Sequence, residues 1–354
     1  MNLKNNQRPF TIEGTSVGNH RPPYIIAEIA QTHDGSLGSA MAFIDLAKEC
    51  GADAIKFQTH IASEESTLHE PWRKRFSQQD DTRFDYWQRM EFTFAQWKLL
   101  KRHADDLGIS FISSPFSVKA CEWLHELGMK TWKIASGEVH NRQLMSWILA
   151  TNEPIILSSG LSLSDESQRL LYELSDGDRQ LAFLHCTTQY PTPASEVGLN
   201  VFSEFKRDFA SLPIGLSDHS GQIYPSVIAT YLGADIIEVH LTMHPRMFGP
   251  DVKSSLTPEQ LISLVQGASF AWEMRNHAVD KSVQLSGLQN ERKIFTRSLV
   301  AVRDLTAGEI VFAEMVAYKK PGGGLNFDDL QNLVGKTLQR SIMRDEQLSL
   351  DDVK

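Results

Sequence analysis

Residues 24–59 read YIIAEIAQTHDGSLGSAMAFIDLAKECGADAIKFQT, and this stretch sets the pattern followed as far as Thr242. It opens with a short apolar run, YIIAEIA from Tyr24, enriched in β-branched and aromatic residues as buried parallel strands are. A longer amphipathic run, SLGSAMAFIDLAKECG from Ser36, predicts a helix closed by Gly51. A second apolar run, AIKFQTH from Ala54, completes a strand–helix–strand unit. Six further runs repeat the theme: SFISSPF (Ser110), TWKIASG (Thr131), PIILSSG (Pro154), LAFLHCT (Leu181), PIGLSDH (Pro213) and IIEVHLT (Ile236). FAQWKLLKRHADDLG from Phe94 predicts another helix, stopped at Gly108. Eight strands, each followed by a helix, within roughly 250 residues predict an α/β chain folded as a (β/α)8 TIM barrel. A doubly wound sheet would need a glycine-rich phosphate loop after its first strand, and EIAQTHDG is a poor match to one.

Two segments depart from the alternation. Residues 61–92 are long and polar, with EPWRKRFSQQDDTRFDYW at their centre. They follow the second strand on the face where barrel enzymes carry their sites, so they read as a substrate-covering excursion or as a solvated loop with a short helix. From about Arg292 the texture changes to short strands and tight turns, RSLVAVRDLTAGEIVFAEMVAYKKPGGGL and GKTLQRSIMRDEQLSLDDV. The expected division is a barrel over 1–279, a polar linker over 280–291 and a small β-rich domain over 292–354.

Composition narrows the function. Of 354 residues, 41% are hydrophobic and 22% charged, enough to build a sizeable core. No signal-peptide pattern opens the chain, no stretch approaches a membrane span, and the three cysteines are few and widely spaced. A cytoplasmic protein without a membrane partner is expected. The net charge of −9 makes nucleic acid an unsuitable partner, and any bound anion must be held by a few local cations.

Polar residues at the carboxyl ends of barrel strands are site candidates. In order they are Glu28; Lys56 and Gln58; Ser113 and Ser114; Lys133, Ser136 and Glu138; Ser158 and Ser159; Thr188 and Tyr190; Ser217, Asp218 and His219; Glu238 and His240. A lysine inside an apolar strand is costly unless paired. One alone is accounted for by a neighbouring carboxylate, but two, Lys56 and Lys133, with a run of serines, fit a small dianion better. His219 and His240 end adjacent strands and are either hydrogen-bonded core residues or the start of a metal site, with Glu28 able to reach across the mouth. Two nitrogen ligands with open positions suit Mn²⁺, Mg²⁺, Fe²⁺ or Zn²⁺. Cys186 reads as a small buried residue, and Asp251, in the FGPD turn, as a sugar-hydroxyl acceptor or a solvated loop acid.

Taken together, IIAEIAQTHDGSL, IKFQTH, FISSPFS, WKIASGE, IILSSG, LHCTTQYPTP, IGLSDHS, IEVHLT and FGPD resemble the sialic acid synthase family, which includes N-acetylneuraminate, legionaminate and pseudaminate synthases. The carboxyl-terminal RSLVAVRDLTAGE and KKPGGG resemble that family's antifreeze-like SAF domain, a β-clip. The resemblance runs from about Tyr24 to Val353. It implies condensation of phosphoenolpyruvate with an N-acylmannosamine-type sugar, releasing inorganic phosphate. It implies a divalent metal, usually Mn²⁺ with Mg²⁺ or Co²⁺ as alternatives, on His219 and His240. Phosphoenolpyruvate would be held by Lys56 and Lys133 with Ser114, Ser136, Ser158, Thr188 and Ser217. The acceptor would contact Gln58, Glu138, Tyr190 and Asp251, and Glu28 would lie close to the metal and the reacting carbon. A domain-swapped homodimer is implied, with Lys320 reaching the partner's acceptor sugar.

Three positions depart from the family pattern. Thr188 stands where Asn is common, THDG (Thr32 to Gly35) replaces the usual NHxG, and Lys320 replaces an arginine before PG. Lysine keeps the charge but loses the planar fork. The competing expectations are a synthase of a seven- or eight-carbon ulosonic acid and a sugar-binding relative without catalysis. The SAF-like domain opposes the first. Retention of Glu28, Lys56, Lys133, His219 and His240 opposes the second.

Overall fold

A computed structural model describes residues 7–18, 20–72, 74–161, 164–175 and 179–354. The chain divides into two compact units, Met1–His277 and Ala278–Lys354.

In the first unit all eight apolar runs form parallel strands: β1 Tyr24–Glu28, β2 Ala54–Thr59, β3 Ser110–Pro115, β4 Trp132–Ile134, β5 Ile155–Ser158, β6 Leu181–Cys186, β7 Ile214–Asp218 and β8 Ile236–Leu241. Their order around the sheet is β3-β2-β1-β8-β7-β6-β5-β4. The last strand thus pairs with the first, His240 opposite Glu28, and β7 pairs with β8, Ser217 opposite Glu238. Hydrogen bonding lapses between β3 and β4, which lie side by side, so the barrel is nearly closed. The expected TIM barrel is the observed fold.

Local chemistry explains the helices between strands. Thr93 and Gln96 form a reciprocal cap at the start of helix Phe94–Leu107, which buries Trp97, Leu100 and Ala104. Gly108 ends it at φ +63°, a left-handed conformation that glycine adopts without a side-chain clash. Helix Leu37–Glu49 is capped by Ser36 and buries Ala40, Phe43, Ile44 and Ala47. At the amino-terminal end of the barrel a hairpin, Thr11–Ile12 with Thr15–Ser16, sets Ile12 among the inward side chains.

The excursion after β2 carries two helices, Ala62–Glu65 and Arg83–Met90. Arg89 fixes it to the loop after β1, donating to Asp34 at 2.6 Å and to Asp80 at 2.8 Å. Gly35 is required at this junction, because a Cβ there would lie 2.1 Å from the Arg89 carbonyl oxygen.

In the second unit residues expected as a linker hold helices Lys281–Ser286 and Gln289–Phe295. Strands β9 Ser298–Ala301 and β10 Val316–Lys319 pair antiparallel. Leu299, Leu305, Val311, Leu333, Leu338 and Ile342 supply most of a small separate core. Among the described residues no helix is long and apolar enough to cross a membrane.

Candidate active site

Every second side chain of a strand faces the same way. Tyr24, Ile26, Ala54, Ile112, Ile156, Ala182, Leu184 and Ile236 form an apolar floor inside the barrel. Ile25, Ala27, Ile55, Phe57, Trp132, Ile134, Ile155 and Leu157 pack outward with the helices. The same parity, carried toward the carboxyl ends, turns Glu28, Lys56, Gln58, Ser114, Lys133, Ser158, Cys186, Ser217, Glu238 and His240 inward. The alternation that builds the dry floor therefore dictates a polar layer above it.

Four charges occupy that layer. Lys56 Nζ donates to Glu28 Oε2 in a close ion pair and lies 3.8 Å from Glu238 Oε2. Lys133 Nζ lies 3.5 Å from Glu238 Oε1 and donates to Ser158 Oγ at 2.8 Å. Ser217 Oγ donates to Glu238 Oε1 at 2.9 Å. All four charged side chains are at most 4% exposed, so the two ammonium groups depend on the two carboxylates for neutrality. Sequence reasoning assigned Glu238 no role, yet it is the acid between both lysines. The signal was available, since i and i+2 on a strand share a face and His240 was already placed inward.

The two acids differ in proton affinity. Burial raises the Glu28 carboxyl, Lys56 opposes, and Glu238 adds to the rise, leaving it pushed up to about 7. Burial also pulls Glu238 upward, but Lys133, Lys56 and Ser217 outweigh it and hold Glu238 below the usual carboxylate range. Lys133 is lowered, chiefly by burial. For Lys56 burial is outweighed by Glu238 and Glu28, and its affinity rises. Glu238 is thus the standing anion, and Glu28 is the acid able to exchange a proton near neutrality.

The imidazoles of His219 and His240 converge, with ring centroids 5.1 Å apart. His219 Nδ1 faces the Thr187 carbonyl oxygen at 2.9 Å. A carbonyl only accepts, so Nδ1 carries the proton and Nε2 presents its lone pair. Tyr190 stacks on this ring at 4.2 Å, with its hydroxyl 3.2 Å from Nε2. His240 Nδ1 is buried without a hydrogen-bond partner. Burial, opposed by the Thr187 bond, holds His219 down to about 4, and burial aided by His219 takes His240 well below its ordinary value. Neutral imidazoles, one orphaned nitrogen and one fixed tautomer fit a divalent ion. Among the described residues no group of three or more His, Cys, Asp or Glu is arranged to hold an ion. The fit is that of two nitrogen ligands, with the other positions left to oxygens from water and substrate.

The remaining candidates ring this centre. Gln58 Nε2 donates to Glu28 Oε1 at 2.9 Å, and its Oε1 accepts from Gln31 Nε2 at 3.1 Å. Ser114 Oγ is buried without a partner. Ser136, Cys186 and Thr188 close on Gly160, where a Cβ would lie 2.2 Å from Thr188 Oγ1. Cys186 is buried, and burial pushes its thiol up to about 11, as suits a filler rather than a nucleophile. Gln58, Ser136, Thr188, Tyr190, His240 and Asp251 line a cavity of about 570 Å³, roofed by Trp72, Phe76 and Tyr86 of the excursion. Glu138 lines a second cavity, which also reaches Gln58. The residues expected to hold the acceptor are therefore divided between two adjoining spaces. Lys320 belongs to the second unit, its ammonium 5.5 Å from the centroid of the Phe295 ring.

Comparison with known proteins gives this geometry its relatives. The NeuB family matches residues 43–280 and the SAF domain matches residues 296–354. The chain is 33% identical over 328 residues to N,N'-diacetyllegionaminic acid synthase of Campylobacter jejuni, covering 91% of this chain and 97% of that one. It is 32% identical over 340 residues to N-acetylneuraminate-9-phosphate synthase of Homo sapiens, covering 95% and 94%. The crystal structure of the N-acetylneuraminic acid (sialic acid) synthetase of Leptospira borgpetersenii, in complex with citrate, matches with a TM-score of 0.70 at 26% identity, covering 80% of this chain and 97% of that one. With matches of this extent over both units, the chain belongs to the NeuB family of sialic acid synthases and carries a carboxyl-terminal SAF domain.

Proposed function

We propose that this protein is a nonulosonic acid synthase that condenses phosphoenolpyruvate with an N-acylmannosamine-type sugar and releases inorganic phosphate. The observation that carries this reading is the buried pair Lys56 and Lys133 around Glu238, with Ser158 and Ser217 alongside. A small dianion entering this layer finds two ammonium groups preset and water largely excluded, where fixed charge acts most strongly. Ser114 adds an unpartnered hydroxyl, and Ser136 and Thr188 stand above.

The chemistry follows from where charge develops. Carbon three of phosphoenolpyruvate bonds to the aldehyde carbon of the open-chain sugar, whose oxygen takes up a proton. The lost double bond leaves an oxocarbenium-like centre at carbon two. Glu28, poised near neutrality, accepts a proton from the water that adds there. The resulting tetrahedral centre expels phosphate and becomes the ketone. Lys56 and Lys133 hold carboxylate and phosphate oxygens throughout, while Gln58, Glu138, Tyr190 and Asp251 orient the sugar. A divalent ion on His219 and His240, taken as Mn²⁺ with Mg²⁺ or Co²⁺ as alternatives, would supply Lewis acidity toward the aldehyde. The working form in this reading is a cytoplasmic domain-swapped homodimer, in which Lys320 reaches the partner's sugar.

The test is phosphate release from phosphoenolpyruvate with Mn²⁺ and N-acetylmannosamine, set against arabinose 5-phosphate. Release with the N-acyl sugar alone supports the reading. Turnover of arabinose 5-phosphate alone would move it to an eight-carbon product, and turnover of neither would end it.

A further inference from the structure

The second cavity, about 410 Å³, opens beside the barrel mouth and shares Gln58, Arg83, Trp87 and Phe116 with the first. Its chemistry is distinct. Glu64, Glu65, Glu70 and Glu138 line it, and among the described lining residues both basic side chains are already matched with an acid, Arg83 with Glu70 at 3.1 Å and His60 with Glu65. Glu65 is the most constrained of these acids. Its side chain is only 9% exposed; Oε1 meets His60 Nδ1 at 2.6 Å, while Oε2 is buried with no partner. His60 is clamped between the rings of Trp87 and Phe116, at 4.2 and 4.3 Å, and its Nε2 faces Gln58 Oε1 at 3.1 Å. The free carboxylate oxygen is therefore held by a rigid stack that also positions Gln58, the neighbour of Glu28.

We propose that this cavity receives the end of the acceptor remote from its aldehyde, and that it selects an uncharged hexosamine bearing hydroxyl or acylamino groups over a phosphorylated one. The proposal rests on the synthase reading given above and specifies its substrate. Ionised carboxylates only accept hydrogen bonds, so they call for a ligand rich in O–H and N–H donors. A phosphate brings further acceptors and negative charge, and meets four acids that outnumber the two basic side chains, both already paired, among the described lining residues. Trp87 and Phe116 supply apolar faces against which a sugar ring can lie. Gln58 links the two spaces, so one molecule can place its aldehyde by the histidines and its far end beside Glu65.

The test compares an N-acylmannosamine with its 6-phosphate at saturating phosphoenolpyruvate. The free sugar is expected to have kcat/KM at least about tenfold higher, and Glu65→Gln to raise its KM by about tenfold without changing the KM of phosphoenolpyruvate. The same substitution should narrow the preference between the two acceptors, which a merely structural defect, lowering both alike, would not do. An equal or better 6-phosphate overturns the proposal and moves the sugar's far end to Lys74, Arg75 and Lys253 on the rim of the first cavity. An unchanged KM in Glu65→Gln also overturns it. Absence of turnover with every acceptor indicts the synthase reading instead. Calorimetric titration of both sugars in the presence of phosphoenolpyruvate then decides the subsite, and binding of neither overturns both.

Discussion

Glu238→Gln removes one charge from between two buried ammonium groups while keeping the shape of the side chain. At an effective dielectric of about 20, separations of 3.5 and 3.8 Å correspond to a gross attraction of about 4–5 kcal/mol for each pair. Desolvation offsets much of that attraction in the intact cluster, but deleting one partner leaves the others unpaired and costs about 3–5 kcal/mol. The loss falls mainly on Lys133, because Lys56 keeps Glu28. At about 2–4 °C per kcal/mol for domains of this size, the thermal midpoint of the barrel should fall by roughly 6–20 °C. Scanning calorimetry with and without phosphoenolpyruvate measures both consequences. A bound dianion restores the missing negative charge, so the ligand should raise the midpoint of the variant more than that of the unmodified protein. A variant melting within about 2 °C of the unmodified protein would refute the claim that Glu238 neutralises the lysines. Equal ligand shifts would refute the claim that these lysines receive the anion.

Three further outcomes follow from the same geometry. Gly160→Ala should cost about 1–3 kcal/mol and lower phosphate release, because its Cβ would lie 2.2 Å from Thr188 Oγ1 and 3.0 Å from Cys186 Sγ; unchanged melting and turnover would contradict the packing. His219→Ala should lose bound manganese in equilibrium dialysis and lose phosphate release with it, and a fully active, metal-free variant would refute the ligand assignment. Lys320→Ala should raise the acceptor KM while leaving that of phosphoenolpyruvate nearly unchanged; an unaltered acceptor KM would remove its proposed role.

The barrel was legible because its strands are buried on both faces and stand out as short apolar runs between amphipathic helices. Inward placement of Glu28, Lys56, Lys133 and His240 could be read in the same way, from polar residues interrupting those runs. Glu238 stood among the strand-end candidates without a role, because it was not matched to the negative charge that two buried lysines require. The second cavity was harder to foresee. Its walls come from Glu65 and Trp87 on the excursion, Phe116 after β3 and Glu138 after β4, and no local periodicity encodes how a long loop folds back over a barrel. Residues 61–92 offered a covering or a solvated loop as equal readings. The ring cluster of Trp72, Phe76 and Tyr86, with Phe248 beside it, gives the segment a packed interior of its own.

The hairpin that sets Ile12 among the inward side chains makes the chamber a blind well. Phe10, Ile12 and Val17 pack with the inward side chains at the amino-terminal end, so among the described residues the chamber opens where the strands finish. Lys56 sits two residues deeper along β2 than Gln58, so in the proposed synthase the anion would lie beneath the sugar contacts. In that reading phosphoenolpyruvate must descend before the sugar settles above it. The depth of the lysines then sets the order of entry, the anion first and the sugar second, before the two depart joined as one product.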